Sequence, residues 1–345
     1  MKLQNLLGIE LPIIQAPMAG VQGSALAVAV SNAGGLGSLP CAMLGLDALR
    51  DELAAIRAQT GRPFNVNFFC HAPPAPDAER EAAWRAILAP YYEEFGIAAD
   101  SISAGSERTP FSREAAEVLS EFGPSVVSFH FGLPSVELLA RVKSWGAKVI
   151  SSATTLDEAR WLEARGVDAV IAQGLEAGGH RGMFLSDDLS TQVGTFALLP
   201  QMVRAVRIPV IAAGGIADAR GVAAAMALGA AGVQVGTAYL LCPEATTSPV
   251  HRAALKGDAA RHTALTRLFT GRPARGIVNR IIAELGPIDA AAPAFPLAAA
   301  ASAPLRAAAE SRGSGAFSPL WSGQNAGGCK ELPAAELTRQ LAAGL

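Results

Sequence analysis

Short apolar segments alternate with longer amphipathic segments along most of the chain. Eight of the apolar segments are continuous and rich in β-branched residues, which is typical of parallel strands buried on both faces. They are centred on residues 13–15, 35–38, 65–68, 126–129, 148–151, 169–172, 210–212 and 233–235. Each is followed by a helical pattern, except where an insertion intervenes. Strand and helix alternating eight times predict an α/β fold, a (β/α)8 TIM barrel.

Two of the helices have readable N-terminal signals. Thr155-Leu-Asp-Glu158 is a capping box ahead of a helix that runs to Gly166, and Asp218 can cap a helix that runs to Leu228. These signals lie between consecutive strand segments. They therefore support the alternation on which the barrel prediction depends.

Two stretches break the alternation. Residues 71–112 insert proline-rich and helical sequence after the third strand, where a barrel builds active-site loops. Residues 242–302 leave the pattern and predict a small, mainly helical cap over the barrel mouth, with a return linker at 290–304. A last helix at 334–341 is expected to close the barrel. The predicted organisation is a barrel over 1–241, a cap inserted after the eighth strand over 242–302, and a C-terminal return segment packing on the barrel over 303–345.

Composition narrows the class of protein. The chain has 345 residues and a net charge of −2, and no basic cluster indicates nucleic acid or an anionic membrane surface as a partner. Half of the residues are hydrophobic, but no apolar run approaches the ~20 residues that span a bilayer. The N-terminal segment has no secretory pattern, and the four cysteines have no zinc-like spacing. We expect a cytoplasmic, metal-free monomer or homodimer.

Two glycine turns follow the last two strands. They lie in Ile208-Pro-Val-Ile-Ala-Ala-Gly-Gly215 and in Gly232-Val-Gln-Val-Gly-Thr237. TIM barrels bind phosphate at this place, because turns without side chains expose backbone N–H groups to an anion. The hydroxyl of Thr237 adds a donor. The turns therefore predict a phosphorylated cofactor or substrate.

Four strand-end motifs indicate the family. They are Gln15-Ala-Pro-Met-Ala-Gly20, Asn65-Val-Asn-Phe-Phe69, Ser128-Phe-His-Phe-Gly-Leu-Pro134 and Gln173-Gly-Leu-Glu-Ala-Gly-Gly-His-Arg-Gly182. From about Leu7 to Gln324 the chain resembles the nitronate monooxygenases, formerly called 2-nitropropane dioxygenases, and most closely their class I. The resemblance implies FMN as cofactor, no metal, and detoxifying oxidation of a nitronate or nitroalkane by O2.

The resemblance also assigns residues. His130 falls on the family's catalytic base, and Phe295 and Gln324 fall near its substrate site. In this chain the cofactor-binding positions implied by the resemblance and by the two turns are Met18, Asn67, Gln173, Gly178, Gly179, Gly214, Gly215, Gln234, Val235, Gly236 and Thr237.

Elementary chemistry agrees with these assignments. A flavin ring needs an apolar surface on one face, which Met18 offers, and hydrogen-bond partners along its pyrimidine edge, which Asn67 and Gln173 offer. An ordinary histidine has a pKa near neutral pH, so His130 is expected to take the α-proton of a nitroalkane. Arg181 either approaches the phosphate or faces water.

The substrate and the reaction stay open at this point. Relatives often have tyrosine where this chain has Phe295, so a more apolar pocket is expected to favour neutral nitroalkanes or longer alkyl chains over propionate 3-nitronate. The leading function is oxidation of alkyl nitronates to carbonyl compounds and nitrite, with neutral nitroalkanes as further candidates. The alternatives are an FMN-dependent NAD(P)H:quinone or enoyl-thioester reductase, and a barrel that binds a phosphorylated ligand without redox chemistry.

Overall fold

Eight strands form the centre of the molecule. The computed structural model describes residues 2–98, 102 and 108–345. A parallel sheet has the order β1-β9-β8-β6-β5-β4-β3-β2, and a parallel bridge between Ile14 and Leu36 closes it into a barrel. The predicted TIM barrel is confirmed. The strands of the described residues are β1 (Ile13–Gln15), β2 (Gly37–Pro40), β3 (Phe64–Phe69), β4 (Val126–His130), β5 (Lys148–Ala153), β6 (Ala169–Gln173), β7 (Gly179–His180), β8 (Val210–Ala213), β9 (Gly232–Val235), β10 (Thr263–Thr266) and β11 (Ala274–Ile277).

Helices cover the outside of the barrel. The α-helices of the described residues are α1 (Leu3–Leu7), α2 (Ser24–Asn32), α3 (Leu46–Gln59), α4 (Ala78–Phe95), α5 (Arg113–Phe122), α6 (Val136–Ser144), α7 (Leu156–Ala164), α8 (Thr195–Ala205), α9 (Ala219–Ala227), α10 (Pro249–Lys256), α11 (Arg280–Leu285), α12 (Ala298–Ser311) and α13 (Ala334–Leu341). Helix α13 packs on α9 and α2 and takes the place of the eighth barrel helix. The expected closing helix is therefore present.

The two predicted helix starts are confirmed. Thr155 is the N-cap of α7, where its side chain accepts a hydrogen bond from the backbone N–H of Glu158. Asp218 caps α9 by accepting from the backbone N–H of Gly221 at 2.8 Å. Both caps satisfy backbone donors that the first helical turn leaves unpaired.

The apolar residues divide into layers. The largest cluster lies between the sheet and its helices, as the continuous apolar strands require. A second cluster fills the bottom of the barrel, where Leu3 and Leu7 of α1 join Ile14, Ile150 and Ile211. The bottom is thereby closed. The polar strand ends remain at the opposite face.

The cap is built from two insertions that are distant in sequence. Trp84 and Leu88 of α4, from the insertion after β3, share a core with Ile281 of α11 and with Leu305 of α12. The Tyr92 hydroxyl of α4 donates to the carbonyl of Ala301 at 2.7 Å. The sequence placed the cap in 242–302 alone, because nothing local shows that α4 packs on α12.

Two details of the predicted cap need correction. Strands β10 and β11 form an antiparallel hairpin that pairs with β7, so the cap also contains a three-stranded sheet. Part of the expected linker at 290–304 belongs to α12, which runs from Ala298 to Ser311 across the predicted domain boundary at 302. Alanine-rich sequence favours a helix once one of its faces is buried.

The helices and the cysteines give two further structural facts. None of the described helices combines the length and the apolar character that crossing a membrane requires. All four cysteines are free thiols.

Candidate active site

The carboxyl ends of the strands surround a cavity. It encloses about 1330 Å³, including its opening to solvent. Segments of the cap and of the return segment complete the wall, which includes His251 and Trp321. Most of the residues assigned from sequence meet here. Those that line the cavity are Met18, Asn67, His130, Gln173, Gly178, Gly179, Gly214, Gly215, Gln234, Gly236 and Thr237.

The two glycine turns meet at one edge of the barrel, because β8 and β9 are neighbours in the sheet. Gly214 and Gly215 have φ angles of +118° and +73°, in the left-handed region that favours glycine. The backbone N–H groups of Gly215 and Ile216 have no acceptor among the described residues. The Thr237 hydroxyl oxygen accepts from the backbone N–H of Gly323 at 2.9 Å, and its proton stays free to donate. These groups form a cradle for an anion.

Glu176 orders this cradle. Its carboxylate accepts from the backbone N–H of Thr195 at 2.8 Å, at the N-terminus of α8, where a negative charge is favourable. The Thr195 hydroxyl lies 2.8 Å from the same carboxylate and 3.0 Å from the carbonyl oxygen of Gly214. Glu176 is the only carboxylate among the described residues that line the cavity, and these bonds commit it to the loop.

One unsatisfied atom supports a cofactor in this cavity. Gln234 lines the wall, and its buried Oε1 has no hydrogen-bond partner in the described part of the chain. A buried amide oxygen without a donor costs about 1–3 kcal/mol. A ligand with an N–H group or a hydroxyl would remove that cost. The glycine cradle and this amide together fit a ligand that has both a phosphate and hydrogen-bonding groups.

The two amides expected at the flavin edge are partly used within the protein. Asn67 Nδ2 donates to Ser128 Oγ at 2.9 Å, and Asn65 Nδ2 donates to the same oxygen at 2.9 Å. Gln173 Nε2 donates to the carbonyl of His180 at 2.9 Å, and its Oε1 accepts from the backbone N–H of Gly182 at 2.7 Å. Gln173 therefore also holds the loop after β6. Each amide keeps one further N–H or lone pair for a ligand.

His130 stands at the end of β4 and faces the cavity. Its Nε2 donates to the carbonyl of His180 at 3.2 Å, which makes Nδ1 the acceptor of the neutral ring. Gly182 lies against this ring, since a Cβ there would come within 2.9 Å of His130 Cε1. Burial, aided by the charges of Arg272 and Arg181, lowers the pKa of His130 to about 3. The expectation of a pKa near neutral pH is therefore wrong.

Arg108 is a cavity residue that the sequence did not point to. It comes from the insertion after β3, and its guanidinium carbon lies 5.6 Å from the centroid of the Phe295 ring. None of the described carboxylates forms an ion pair with it, and its buried Nε has no hydrogen-bond partner. Among the described residues, Arg108 is thus a cation without an ion-pair partner, because Glu176, the only carboxylate of the wall, is hydrogen-bonded to Thr195.

Three predicted site residues do not line the cavity. The side chain of Val235 is buried between the sheet and its helices. Phe295 is buried behind the wall, where its ring centroid lies 5.4 Å from that of His180 and 6.1 Å from that of Phe69. Gln324 is exposed and donates from its backbone N–H to the carbonyl of Glu176 at 3.0 Å. Its sequence neighbours Gly323 and Asn325 are the ones that reach the wall.

The remaining polar candidates have structural roles. Arg181 neither approaches the cavity nor faces water: it is fully buried and donates to the carbonyls of Gln173 and Gly174 at 2.7 Å each. None of the three tyrosines lines the cavity, since Tyr91 and Tyr92 lie in the cap core and Tyr239 is buried against Thr338.

Sequence reasoning missed Arg108, His180 and His251 as cavity residues. His180 was readable, because it stands in the β6 motif beside the predicted glycines. The others come from insertions, and no spacing or periodicity connects them to the strand ends. Their only signal is a guanidinium or imidazole side chain within an inserted segment, and in the structure His251 belongs to α10.

Comparison with known proteins identifies the family. The model of the nitronate monooxygenase family matches residues 1–344. A nitronate monooxygenase of Paraburkholderia phytofirmans is 47% identical over 98% of this chain and 93% of its own length. One of Pseudomonas aeruginosa is 44% identical over 99% of this chain and 97% of its own length. The structure of a nitroalkane oxidase from Streptomyces ansochromogenes superposes with a TM-score of 0.89 at 41% identity, covering 99% of this chain and 96% of that one.

Proposed function

Since the chain belongs to the nitronate monooxygenase family of oxidoreductases, we propose that it uses FMN and O2 to convert alkyl nitronates into carbonyl compounds and nitrite. One observation carries the proposal. A single cavity combines the backbone N–H groups of Gly215 and Ile216 and the Oε1 of Gln234, none of which has a hydrogen-bond partner among the described residues. It also contains the neutral imidazole of His130 and the guanidinium of Arg108, which forms no ion pair with a described carboxylate. These groups provide an anion cradle, a cofactor contact, a proton acceptor and a positive charge.

The cradle favours FMN among the flavins. The N–H groups of Gly215 and Ile216, with the hydroxyl of Thr237, would hold one terminal phosphate. The sequence has no Gly-x-Gly-x-x-Gly motif with a following acidic residue, which is the fingerprint of a Rossmann-type dinucleotide site. Asn67 and Gln234 would bind polar groups of the cofactor, and Met18 would pack on its ring. When bound, FMN would supply the electron transfer between substrate and O2.

The charges in the cavity favour a nitronate over a neutral nitroalkane. A nitronate is an anion, and Arg108 is the only unpaired cation among the described residues of the wall. Binding there offsets the cost of a charge without a partner. The sequence-based preference for neutral substrates rested on Phe295 and on the scarcity of tyrosine, and Phe295 lies behind the wall. Both a nitronate and a neutral nitroalkane are therefore tested with the purified protein.

His130 is the base of the proposal when the substrate is neutral. Its Nε2 is held by the carbonyl of His180, so the imidazole presents Nδ1 as acceptor for the α-proton. Because burial lowers its pKa to about 3, the ring is neutral at physiological pH but weakly basic. Proton removal from a nitroalkane is therefore expected to be slow, and a pre-ionised nitronate avoids that step.

The first experiment identifies the chemistry. The purified protein, reconstituted with FMN if necessary, is mixed anaerobically with ethylnitronate, nitroethane or NAD(P)H while flavin absorbance is recorded. We expect bleaching by ethylnitronate, release of nitrite once O2 is admitted, and FMN alone on chromatography of the heat-released cofactor. Rapid bleaching by NAD(P)H without nitronate turnover would instead indicate a reductase. No flavin after reconstitution would leave the phosphate-binding alternative.

The second experiment tests His130. His130→Asn is expected to keep FMN while lowering kcat/KM for nitroethane by roughly 10²–10⁴, the usual contribution of a general base. Ethylnitronate should be affected far less. His262→Asn is a matched control, because His262 is exposed in the cap. Equal losses on both substrates would show that His130 is not a base.

A further inference from the structure

Phe131, the residue after His130, has an unusual backbone conformation. Its φ is +68°, and it is the only non-glycine residue with a positive φ in the described ranges. A bulky side chain in the left-handed region is strained and persists only where its surroundings impose it. Such positions concentrate at functional sites. Phe131 is also buried, with 4% of its surface exposed.

This conformation brings two consecutive side chains to the same side of the chain. In a strand, neighbouring side chains point to opposite faces. Ser128 and His130 line the cavity, and Phe129 between them packs outward on Phe111 with ring centroids 5.2 Å apart. Phe131 would follow Phe129 if β4 continued. Instead its ring centroid lies 4.6 Å from that of His130, so the left-handed turn has brought the two rings into contact.

Further aromatic contacts and one cation hold the Phe131 ring. The centroid of Phe69 lies 4.8 Å away and that of Phe295 lies 5.5 Å away. The guanidinium carbon of Arg272, from the basic loop between β10 and β11, lies 3.9 Å from the ring centroid. Arg272 also donates to the carbonyl of Met183. A cation over a buried ring is attracted by its π system, so the cap holds Phe131 in place.

We infer that Phe131 is a positioning residue: fixed by Arg272, its ring sets the orientation of the His130 imidazole for proton removal. Phe131 does not line the cavity, so it acts on the substrate only through His130. The contact holds the ring plane, and the carbonyl of His180 holds Nε2. With both constraints, Nδ1 has one orientation. A misplacement of about 1 Å can cost a reaction about a hundredfold.

The inference rests on the proposed function and is tested with the FMN-loaded full-length enzyme. Phe131→Leu keeps a buried apolar side chain without the ring, and Phe131→Tyr keeps the ring. Phe129→Leu is the matched control, because Phe129 is a buried phenylalanine of β4, two residues before Phe131, that faces away from the cavity. Arg272→Lys keeps the charge and loses the planar stack. For each variant, kcat/KM is measured with nitroethane and with ethylnitronate, together with FMN content and Tm.

Phe131→Leu is expected to lower kcat/KM for nitroethane about tenfold to a hundredfold more than for ethylnitronate, through kcat, with FMN content unchanged. Phe131→Tyr should keep most of the wild-type ratio of kcat/KM for nitroethane to kcat/KM for ethylnitronate. Arg272→Lys should lower this ratio to a smaller extent than Phe131→Leu. An unchanged ratio in Arg272→Lys would overturn the role of Arg272. Phe129→Leu should lower Tm without changing the ratio.

Either of two results would overturn the inference: an unchanged substrate ratio in Phe131→Leu, or the same ratio change in Phe129→Leu. The wild type and His130→Asn separate this failure from failure of the proposed function. If wild type oxidises ethylnitronate and His130→Asn loses nitroethane selectively, the proposed function holds whatever Phe131→Leu does. If wild type oxidises neither substrate, the proposed function itself fails.

Discussion

Replacing Gly214 with alanine tests whether the turn after β8 holds the phosphate of the cofactor. At φ +118° Gly214 has a backbone conformation that other residues rarely adopt, and the strain of a side chain there is about 1–3 kcal/mol. An added Cβ would also lie 2.8 Å from Thr195 Oγ1, 3.1 Å from the backbone N of Ala177 and 3.2 Å from the carbonyl oxygen of Gly174. Two of these neighbours are backbone atoms, so the turn has to move.

The expected effect on FMN affinity follows from that strain. If the turn relaxes in the apoprotein, FMN has to restore it on binding, because the N–H groups of Gly215 and Ile216 otherwise point away from the phosphate. A penalty of about 1–3 kcal/mol corresponds to an increase in Kd of about 5-fold to 150-fold. Gly215→Ala should have a smaller effect, since a Cβ there meets only ordinary contacts, the nearest at 3.5 Å.

The assay is a titration of apoprotein with FMN, followed by quenching of flavin fluorescence. Gly327→Ala is the matched control, because it makes the same chemical change beside the site and its Cβ would meet nothing within 4 Å. The Kd for FMN is expected to be highest for Gly214→Ala and lower for Gly215→Ala, and Gly327→Ala should have the wild-type Kd. A folded Gly214→Ala protein with the wild-type Kd would refute the assignment of this turn to the phosphate.

Two further predictions concern charge. Arg108→Met should raise KM for ethylnitronate about 10-fold to 150-fold, since a hydrogen bond to a charged group contributes about 1.5–3 kcal/mol, and should leave KM for nitroethane nearly unchanged. Equal changes of KM for the two substrates in steady-state kinetics would contradict a charge-based role. Burial lowers the pKa of His251 from 6.5 to about 4, so the unfolded chain binds the proton more readily and stability falls as pH drops from about 6.5 to 4. By pH 5 the loss of stability is about 2 kcal/mol. The Tm of His251→Gln should therefore decrease less than the Tm of wild type as the pH is lowered from 6.5 to 4. Parallel curves of Tm against pH for the two proteins would contradict this prediction.

The strand positions and the glycine turns were accessible from sequence because their causes are local. Continuous β-branched segments specify buried parallel strands wherever they occur, and the turn at Gly214 and Gly215 requires glycine whatever surrounds it. The position of His130 at a strand end also follows from the pattern, since the carboxyl ends of barrel strands meet at one face. These features needed no knowledge of which residues become neighbours.

The properties of the site depend on neighbours that the sequence does not reveal. His130 is neutral and weakly basic mainly because it is buried, and the charges of Arg272 and Arg181 lower its pKa further, so the ordinary pKa of histidine was misleading. The amide of Gln173 is partly committed to the loop at Gly182, and Phe295 lies behind the wall. Burial and hydrogen bonding set these properties, and both are determined by atoms far away in the chain.

The cap shows the same division most clearly. Sequence located both insertions, since each interrupts the alternation of strands and helices. It could not show that Trp84 of the first insertion shares a core with Leu305 of α12, or that the first insertion brings Arg108 to the cavity. Local pattern fixes which segments form helices and strands, because propensity and periodicity act within a few residues. Packing between distant segments decides which charges and rings meet at the site, because that depends on complementary surfaces formed only on folding.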